Sequence, residues 1–379
     1  MKVTTKLLRL RKIRGIILRL VCVCSIFTLF ASGLVEAKTS TAESKAPPTK
    51  LIVGIPTTTF QTLASYLSSL PIALHYWKQE NLDVRVVGLP GATVALQALA
   101  AKKVDVVPGT HSALFSLLGK FPDAGLKTYF IHTDDFNSMP EVLDTSNLHT
   151  IADLEGKTVG VQTLANSQVP LMRALLKQAG GNPSSITFVA VGEGEAAAHA
   201  LVTHKVDALS LYDGLYGAIE ARGIRLRQLK AKFLKGEEIG FDAGLIVRQS
   251  EIKTKRQALI GLARGVAKSI LFAQTNPKAA VEIHWEIYPA TKPRGISKAE
   301  AIRIGEAPLL ARLKNIDMPD GLYGNTTKVK IEGYMNLMMA GGILKGLIPI
   351  SKVWDPSMLK EINDFDHQAI IKQAREWKS

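Results

Sequence analysis

From residue 51 onward the chain alternates short apolar runs with longer stretches whose apolar positions recur every three or four residues. The runs at 51–55, 84–87, 104–107 and 127–131 have the length and continuity of buried strands, and 63–79 and 93–101 have the period of helices. The rhythm restarts with a strand at 158–161, a helix over 168–179, a strand at 187–191, a helix over 195–204 and a strand at 208–211. Strand, helix, strand at this spacing predicts right-handed crossovers, hence a mostly parallel sheet with helices on both faces. Beyond about residue 240 the helical period dominates, over 254–275, 277–285, 297–313, 329–341 and from about 356 to the end.

The two rounds of alternation repeat one another. Ala98-Leu99-Ala100-Ala101-Lys102-Lys103-Val104-Asp105 aligns with Ala200-Leu201-Val202-Thr203-His204-Lys205-Val206-Asp207, 102 positions on. Val53-Gly54-Ile55 aligns with Val159-Gly160-Val161 at nearly the same offset. A cation at a helix C-terminus is common, so one match carries little. Two matches in the same order predict two similar α/β lobes. Such lobes leave a cleft beyond the carboxyl ends of their strands, where ligands of parallel sheets sit. In the first lobe those ends lead into Pro56-Thr57-Thr58-Thr59-Phe60, Gly88-Leu89-Pro90-Gly91-Ala92 and Pro108-Gly109-Thr110-His111-Ser112. In the second they lead into Gln162-Thr163-Leu164-Ala165-Asn166-Ser167, Gly192-Glu193-Gly194-Glu195 and Tyr212-Asp213-Gly214. Hydroxyls and glycines just before a helix offer backbone N–H groups to an anion; otherwise each simply caps its own helix.

The first 37 residues follow a different pattern. Lys2, Lys6, Arg9, Arg11, Lys12, Arg14 and Arg19 precede an apolar run over 20–30, and Val35-Glu36-Ala37 has the small-x-small form a signal peptidase cuts. The expected product is cleaved after Ala37. An uncleaved anchor is the alternative, but the apolar core of 11 residues falls short of the about 20 that a span requires. Residues 38–50, small, polar and proline-containing, read as a flexible leader.

Removing the segment changes the composition. The full chain of 379 residues has 47 Lys+Arg against 33 Asp+Glu, a net charge of +14, 46% hydrophobic residues and two cysteines, Cys22 and Cys24. Cleavage leaves 342 residues, a net charge of +8 and no cysteine. An exported chain of that kind has no disulfide framework, thiol nucleophile or cysteine metal site. The densest basic stretch, Arg222, Arg225, Arg227, Lys230, Lys232 and Lys235, reads as a solvated lobe face, and no nucleic-acid partner is expected.

Motifs for catalysis are missing. Gly192-Glu193-Gly194-Glu195-Ala196-Ala197 formally fits a dinucleotide fingerprint, with Asp213 some twenty residues on. Two carboxylates in the phosphate-cradling turn would repel a pyrophosphate, so Glu193 and Glu195 read as acids in a helix first turn or as partners of a ligand donor. No nucleophile elbow, phosphate loop or calcium loop occurs, and His199 and His204 do not share a helix face. No catalytic residue, cofactor or metal is therefore expected. His111, between Thr110 and Ser112, is placed to donate to an anionic or heterocyclic ligand or else to cap. Phe60, Tyr212 and Phe241 would stack on a flat ligand or pack the lobes.

The run Asp153-Leu154-Glu155-Gly156-Lys157-Thr158-Val159-Gly160-Val161 resembles the signature that opens the second lobe of extracytoplasmic solute-binding proteins of ABC importers. With Leu51-Ile52-Val53-Gly54-Ile55-Pro56, the helix start Gly91-Ala92-Thr93 and Lys103-Val104-Asp105-Val106, the chain resembles their nitrate/sulfonate/taurine and thiamine-pyrimidine-precursor branch over roughly 51–248. The resemblance implies an α/β, two-lobed type II periplasmic-binding-protein fold with a ligand cleft between the lobes. Lobe 1 would comprise 51–138 and, after the chain returns, 241–379; lobe 2 would comprise 139–240. The crossings are expected near 137–148 and 237–244, so that 245–248 rejoins lobe 1. Fungal pyrimidine synthases of this fold carry a cysteine-rich metal-site motif, which a mature chain without cysteine lacks.

The expectation is a monomeric periplasmic receptor, not an enzyme, that closes its lobes on a small anionic or heteroaromatic solute. The solute would be sulfonate-, nitrate- or taurine-like, or a pyrimidine-like thiamine precursor, delivered to the membrane permease and ATPase of an ABC importer. Thr58, Thr59, Phe60, Thr110 and His111 from lobe 1 and Thr163, Asn166, Ser167, Tyr212 and Asp213 from lobe 2 are the expected ligand-binding residues. A sensor presenting its closed form to a membrane kinase and an enzyme of cofactor biosynthesis on the same fold are the competing readings.

Overall fold

A computed structural model of the chain describes residues 46–231 and 239–378. The expected signal segment and its cleavage site, residues 38–45 of the leader, Lys232, Lys235 and Glu237 lie outside the described residues. Among the described residues there are ten strands: β1 (Thr49–Ile55), β2 (Leu82–Gly88), β3 (Val107–Thr110), β4 (Leu126–Asp135), β5 (Glu141–Leu143), β6 (Thr158–Val161), β7 (Thr187–Ala190), β8 (Ala208–Ser210), β9 (Leu226–Gln228) and β10 (Gly240–Arg248).

Their pairing shows one pattern twice. β1 pairs parallel with β2, a parallel bridge from Val53 to Val106 joins β1 to the approach to β3, and β10 runs antiparallel between β3 and β4. The order is thus β2-β1-β3-β10-β4. The other sheet is β7-β6-β8-β5-β9, with β6 parallel to β7 and β8 and β5 antiparallel to β8 and β9. In each, the antiparallel strand arrives from the other sheet. The chain leaves β4 at Asp135 and enters β5 at Glu141, and it leaves β9 at Gln228 and enters β10 at Gly240.

The sequence repeat has identical local geometry in its two copies. Lys102 and His204 both take the left-handed conformation (φ 58° and 55°) that ends the preceding helix. The next amide then bonds back into that helix, Lys103 to the Ala98 carbonyl (2.8 Å) and Lys205 to the Ala200 carbonyl (2.9 Å). Asp105 Oδ2 accepts the Ile52 amide of β1, and Asp207 Oδ2 accepts the Thr158 amide of β6, each at 2.8 Å. The repeated Val-Asp is therefore a clamp between the third strand's approach and the first strand.

The helices that position the cavity are α1 (Ala92–Ala100), α2 (His111–Lys120), α3 (Gln168–Gln178), α4 (Glu195–Val202), α5 (Asp213–Glu220), α6 (Arg256–Thr275), α7 (Pro277–Ile287), α8 (Lys298–Leu313) and α9 (Lys328–Ala340). The tail helices follow the sequence period to within a few residues, because capping side chains mark their starts: Asn276 accepts from the Ala279 amide, Ser297 from Glu300 and Thr327 from Lys330. The helix expected over 63–79 is broken into a 3-10 turn (Thr62–Leu67) and short helices at Ser69–Ala73 and Tyr76–Gln79. Pro71 offers no N–H and is accommodated only in a new first turn, and His75 turns left-handed before the next piece. The terminal helix expected from about 356 is likewise broken, into Leu359–Ile362 and His367–Arg375, and a further short helix at Ile350–Val353 precedes it. No helix among the described residues is long and apolar enough to cross a membrane.

Candidate functional site

A cavity of about 660 Å³, its open mouth included, lies where the strands of both sheets end. One side is built by Ile55 at the end of β1 and Pro56, Thr57, Thr59 and Gln61 after it, by Pro108 and Thr110 of β3, by His132 of β4 and by Asp242 and Ala243 of β10. The other is built by Gln162 after β6, Glu193 after β7, and Tyr212 and Leu215 at the start of α5; Arg312 from the end of α8 completes the lining.

Glu193 ties the two sides together. Its carboxylate accepts from Thr57 Oγ1 (3.1 Å) and Gln61 Nε2 across the cavity and from Gln162 Nε2 on its own side. Asn166 Nδ2 donates to Gln162 Oε1 (2.9 Å), and the Tyr212 hydroxyl donates to Asn166 Oδ1 (3.0 Å). A single hydrogen-bond chain therefore runs from Tyr212 through Asn166 and Gln162 to Glu193. Burial raises the Glu193 carboxyl above its ordinary range, opposed by the Thr57 and Gln61 donors.

Arg312 and Asp213 form the buried ion pair of the site. The guanidinium Nε reaches both carboxylate oxygens (2.9 and 3.0 Å) and an Nη reaches Oδ1 (2.7 Å). Asn137, Asn315 and the Gly214 amide also donate to Asp213, so its oxygens are fully engaged. Asp242 is turned into the cavity by an irregularity in β10, whose register with β4 shifts between Gly240 and Ala243 and whose Phe241 has φ 60°. Burial pushes the Asp242 carboxyl up to about 7, against the pull of Arg312.

The NMT1/THI5-like family model matches residues 72–280, more than half of the chain. The chain belongs to the NMT1/THI5-like family. No curated protein sequence matches it. Among solved structures it is similar to the alkanesulfonate-binding protein SsuA from Xanthomonas axonopodis pv. citri bound to MOPS, at TM-score 0.58 and 18% identity over 82% of this chain and 99% of that one. It is similar to a Candida albicans protein with the generic periplasmic binding protein fold, at TM-score 0.56 and 13% identity over 83% and 98% of the two chains. It is also similar to the desulfurization enzyme DszB, at TM-score 0.50 and 14% identity over 83% and 98%. This NMT1/THI5-like chain thus has the two-lobed type II periplasmic-binding-protein fold, with the cavity in the cleft between the lobes.

Of the residues expected at the site, Thr59, Thr110 and Tyr212 line the cavity of this NMT1/THI5-like protein. Asn166 and Ser167 are buried behind it, where they hold the Tyr212 hydroxyl at 3.0 and 3.2 Å. The rest stand elsewhere. Thr58 is exposed beside the mouth. Thr163 and Ala165 meet the start of α1 near Gly91, and the Thr93 amide points at the Ala165 carbonyl (3.4 Å), so that helix start already has a partner.

Phe60 stacks on Tyr288 (centroids 4.8 Å apart) away from the cavity. His111 is fully buried: Nδ1 bonds the Phe241 carbonyl, Nε2 meets Thr128 Oγ1 (2.7 Å), and its ring stacks on Phe241 at 3.7 Å. Burial lowers it to about 3, so it is neutral and supports the bend in β10 rather than facing the cavity. Asp213 is occupied by Arg312. Sequence reading did not single out His132, Asp242 or Arg312. The polar run His132 to Asp135 reads as the end of a strand, and Arg312 is 99 residues from its partner. A charged residue among Leu309, Leu310 and Leu313 was the one available signal.

Proposed function

We propose that this protein is the extracytoplasmic solute-binding component of an ABC importer, working as a monomer in the periplasm with a membrane permease and ATPase. Lobe 1, residues 51–138 and 241–379, and lobe 2, residues 139–240, close on the solute. The observation that carries the reading is the shared ownership of the cavity, whose walls come from both sheets and are bridged by Glu193 to Thr57 and Gln61. A ligand that touches both walls binds the closed state better than the open one, which is the free energy that drives closure. The fold shared with SsuA supports the transport role.

The charges favour an uncharged or cationic heteroaromatic, pyrimidine-like solute over a sulfonate or nitrate. Glu193 and Asp242 line the cavity, and its one guanidinium among the described residues is already paired with Asp213. A fixed anion about 4 Å from an ionised carboxylate is disfavoured by about 4 kcal/mol at an effective dielectric of about 20. The test is a thermal-shift panel of cytosine, thiamine, ethanesulfonate, nitrate and taurine. Cytosine is expected to raise the melting temperature; at a hundredfold excess over Kd the stabilisation is about 2.7 kcal/mol, or several degrees. Shifts from the anions alone would overturn the ligand class, and a flat panel would overturn the receptor reading.

A further inference from the structure

Two polar atoms in the cavity wall have no partner among the described residues. His132 and Thr110 both line the cavity, and His132 Nε2 and Thr110 Oγ1 are buried without a hydrogen bond. Buried polar atoms in native folds are nearly always paired, so two orphans on one wall mark a place where a bound molecule supplies the partner. Their strands flank β10, whose Ala243 is in register with Thr110 of β3 on one side and Thr133 of β4 on the other. Both residues therefore lie on the strands either side of the one that carries Asp242.

The opposite edge of the imidazole decides what His132 presents. Nδ1 lies 3.4 Å from the Tyr66 hydroxyl and 3.1 Å from Thr133 Oγ1. Among the described residues Nδ1 is the one hydrogen-bond partner of the Tyr66 hydroxyl, and burial keeps that phenol protonated. The phenol proton therefore goes to Nδ1. An Nδ1 that accepts requires the remaining proton of a neutral ring on Nε2. The ring is neutral, because burial and then the charge of Arg312 hold His132 well below the ordinary histidine range.

We propose that the Tyr66 hydroxyl fixes His132 as the Nε2–H tautomer, and that this N–H donates to an acceptor atom of the solute, a ring nitrogen or carbonyl oxygen, with Thr110 Oγ1 as a second contact. The proposal rests on the solute-binding reading of the cavity. Tyr66 is then a positioning residue and His132 a specificity-determining one: a solute without an acceptor at that point leaves the donor unpaired. Glu193 and Asp242 are the natural partners of the solute's own N–H groups.

The tautomer is measurable without any solute. In protein labelled with ¹⁵N-histidine, two-bond ¹⁵N–¹H correlation at pH 7 is expected to show His132, assigned by its loss in His132→Gln, protonated at Nε2 and bare at Nδ1. In Tyr66→Phe the signal is expected to move toward the Nδ1–H form, with Thr133 Oγ1 left as acceptor. A wild-type Nδ1–H ring, or an imidazolium, would overturn the proposal. Calorimetric titration with cytosine gives the second readout. His132→Ala is expected to bind about tenfold or more weakly, the loss of one hydrogen bond to a buried donor, with His132→Gln partly restoring affinity. Cytosine binding by His132→Ala equal to wild type would also overturn it. If the wild type ignores cytosine but takes ethanesulfonate, the ligand class alone has failed, and the same variants titrated with ethanesulfonate decide the role of His132.

Discussion

Arg312 and Asp213 show how much a single buried pair can organise. Each has taken an ion out of water, and the Coulombic gain offsets that cost only while both are present. Arg312→Met is expected to lower the unfolding free energy by about 3–5 kcal/mol in urea denaturation, because Asp213 is left buried and charged with amide donors alone. A loss below about 1 kcal/mol would mean that water reaches the pair. Asp242 gives a pH signature. Its native carboxyl, raised from 3.8 to about 7, keeps its proton where the unfolded chain has released one. Its contribution to stability is therefore full below about pH 4 and lost as the pH rises through about 7.

His111 and His284, lowered to about 3 and about 4, act in the opposite direction, so the Asp242 term has to be read as a difference between proteins. The stability of wild type relative to Asp242→Asn is expected to fall between pH 4.5 and 7.5, by at most about 4 kcal/mol. Parallel stability–pH curves would refute the buried titration.

At the scale of elements, the site depends on two helices meeting closely. Gly214 and Gly217 in α5 face Ala307, Pro308 and Ala311 of α8; a Cβ at Gly214 would stand 2.7 Å from the Pro308 carbonyl oxygen and 2.9 Å from Leu63 Cβ. That approach carries Arg312, one turn further along α8, onto Asp213 at the start of α5. Gly214→Val is expected to cost about 1–3 kcal/mol, read from the urea midpoint, because backbone rather than a flexible side chain must move. It should also weaken whichever panel compound stabilises the wild type, since Arg312 withdraws from the cavity. A variant as stable as wild type would show that the helices can separate freely.

For the whole molecule, the lobes are held together at the mouth by a carboxylate of one side and donors of the other. Removing it in Glu193→Ala deletes the Thr57 and Gln61 bonds across the cleft. Small-angle scattering of the solute-free protein is expected to show a larger radius of gyration for the variant than for wild type, and a saturating panel compound is expected to shrink the difference. Equal radii in both conditions would mean that closure rests on the helix contacts alone.

Much of the architecture is legible from local pattern. Buried parallel strands need continuous apolar runs, and the repeated Lys-Val-Asp matches a repeated helix end and clamp, so the parallel strands of both sheets follow from residues near in sequence, whereas the three-residue antiparallel strands β5 and β9 are too short to show a pattern. Breaks such as Pro71 are local too, and readable in hindsight. The loops after the strands are legible in the same way, and Thr59, Thr110 and Tyr212 among them reach the cavity. What local pattern does not carry is which polar side chain finds a partner inside the fold. His111 is spent on the Phe241 carbonyl and Asp213 on Arg312, while His132 and Thr110 are left open. Those choices are made by contacts spanning 99 and 130 residues. A charge or hydrogen bond in a low-dielectric interior is decided by distance in space, which only the folded chain supplies.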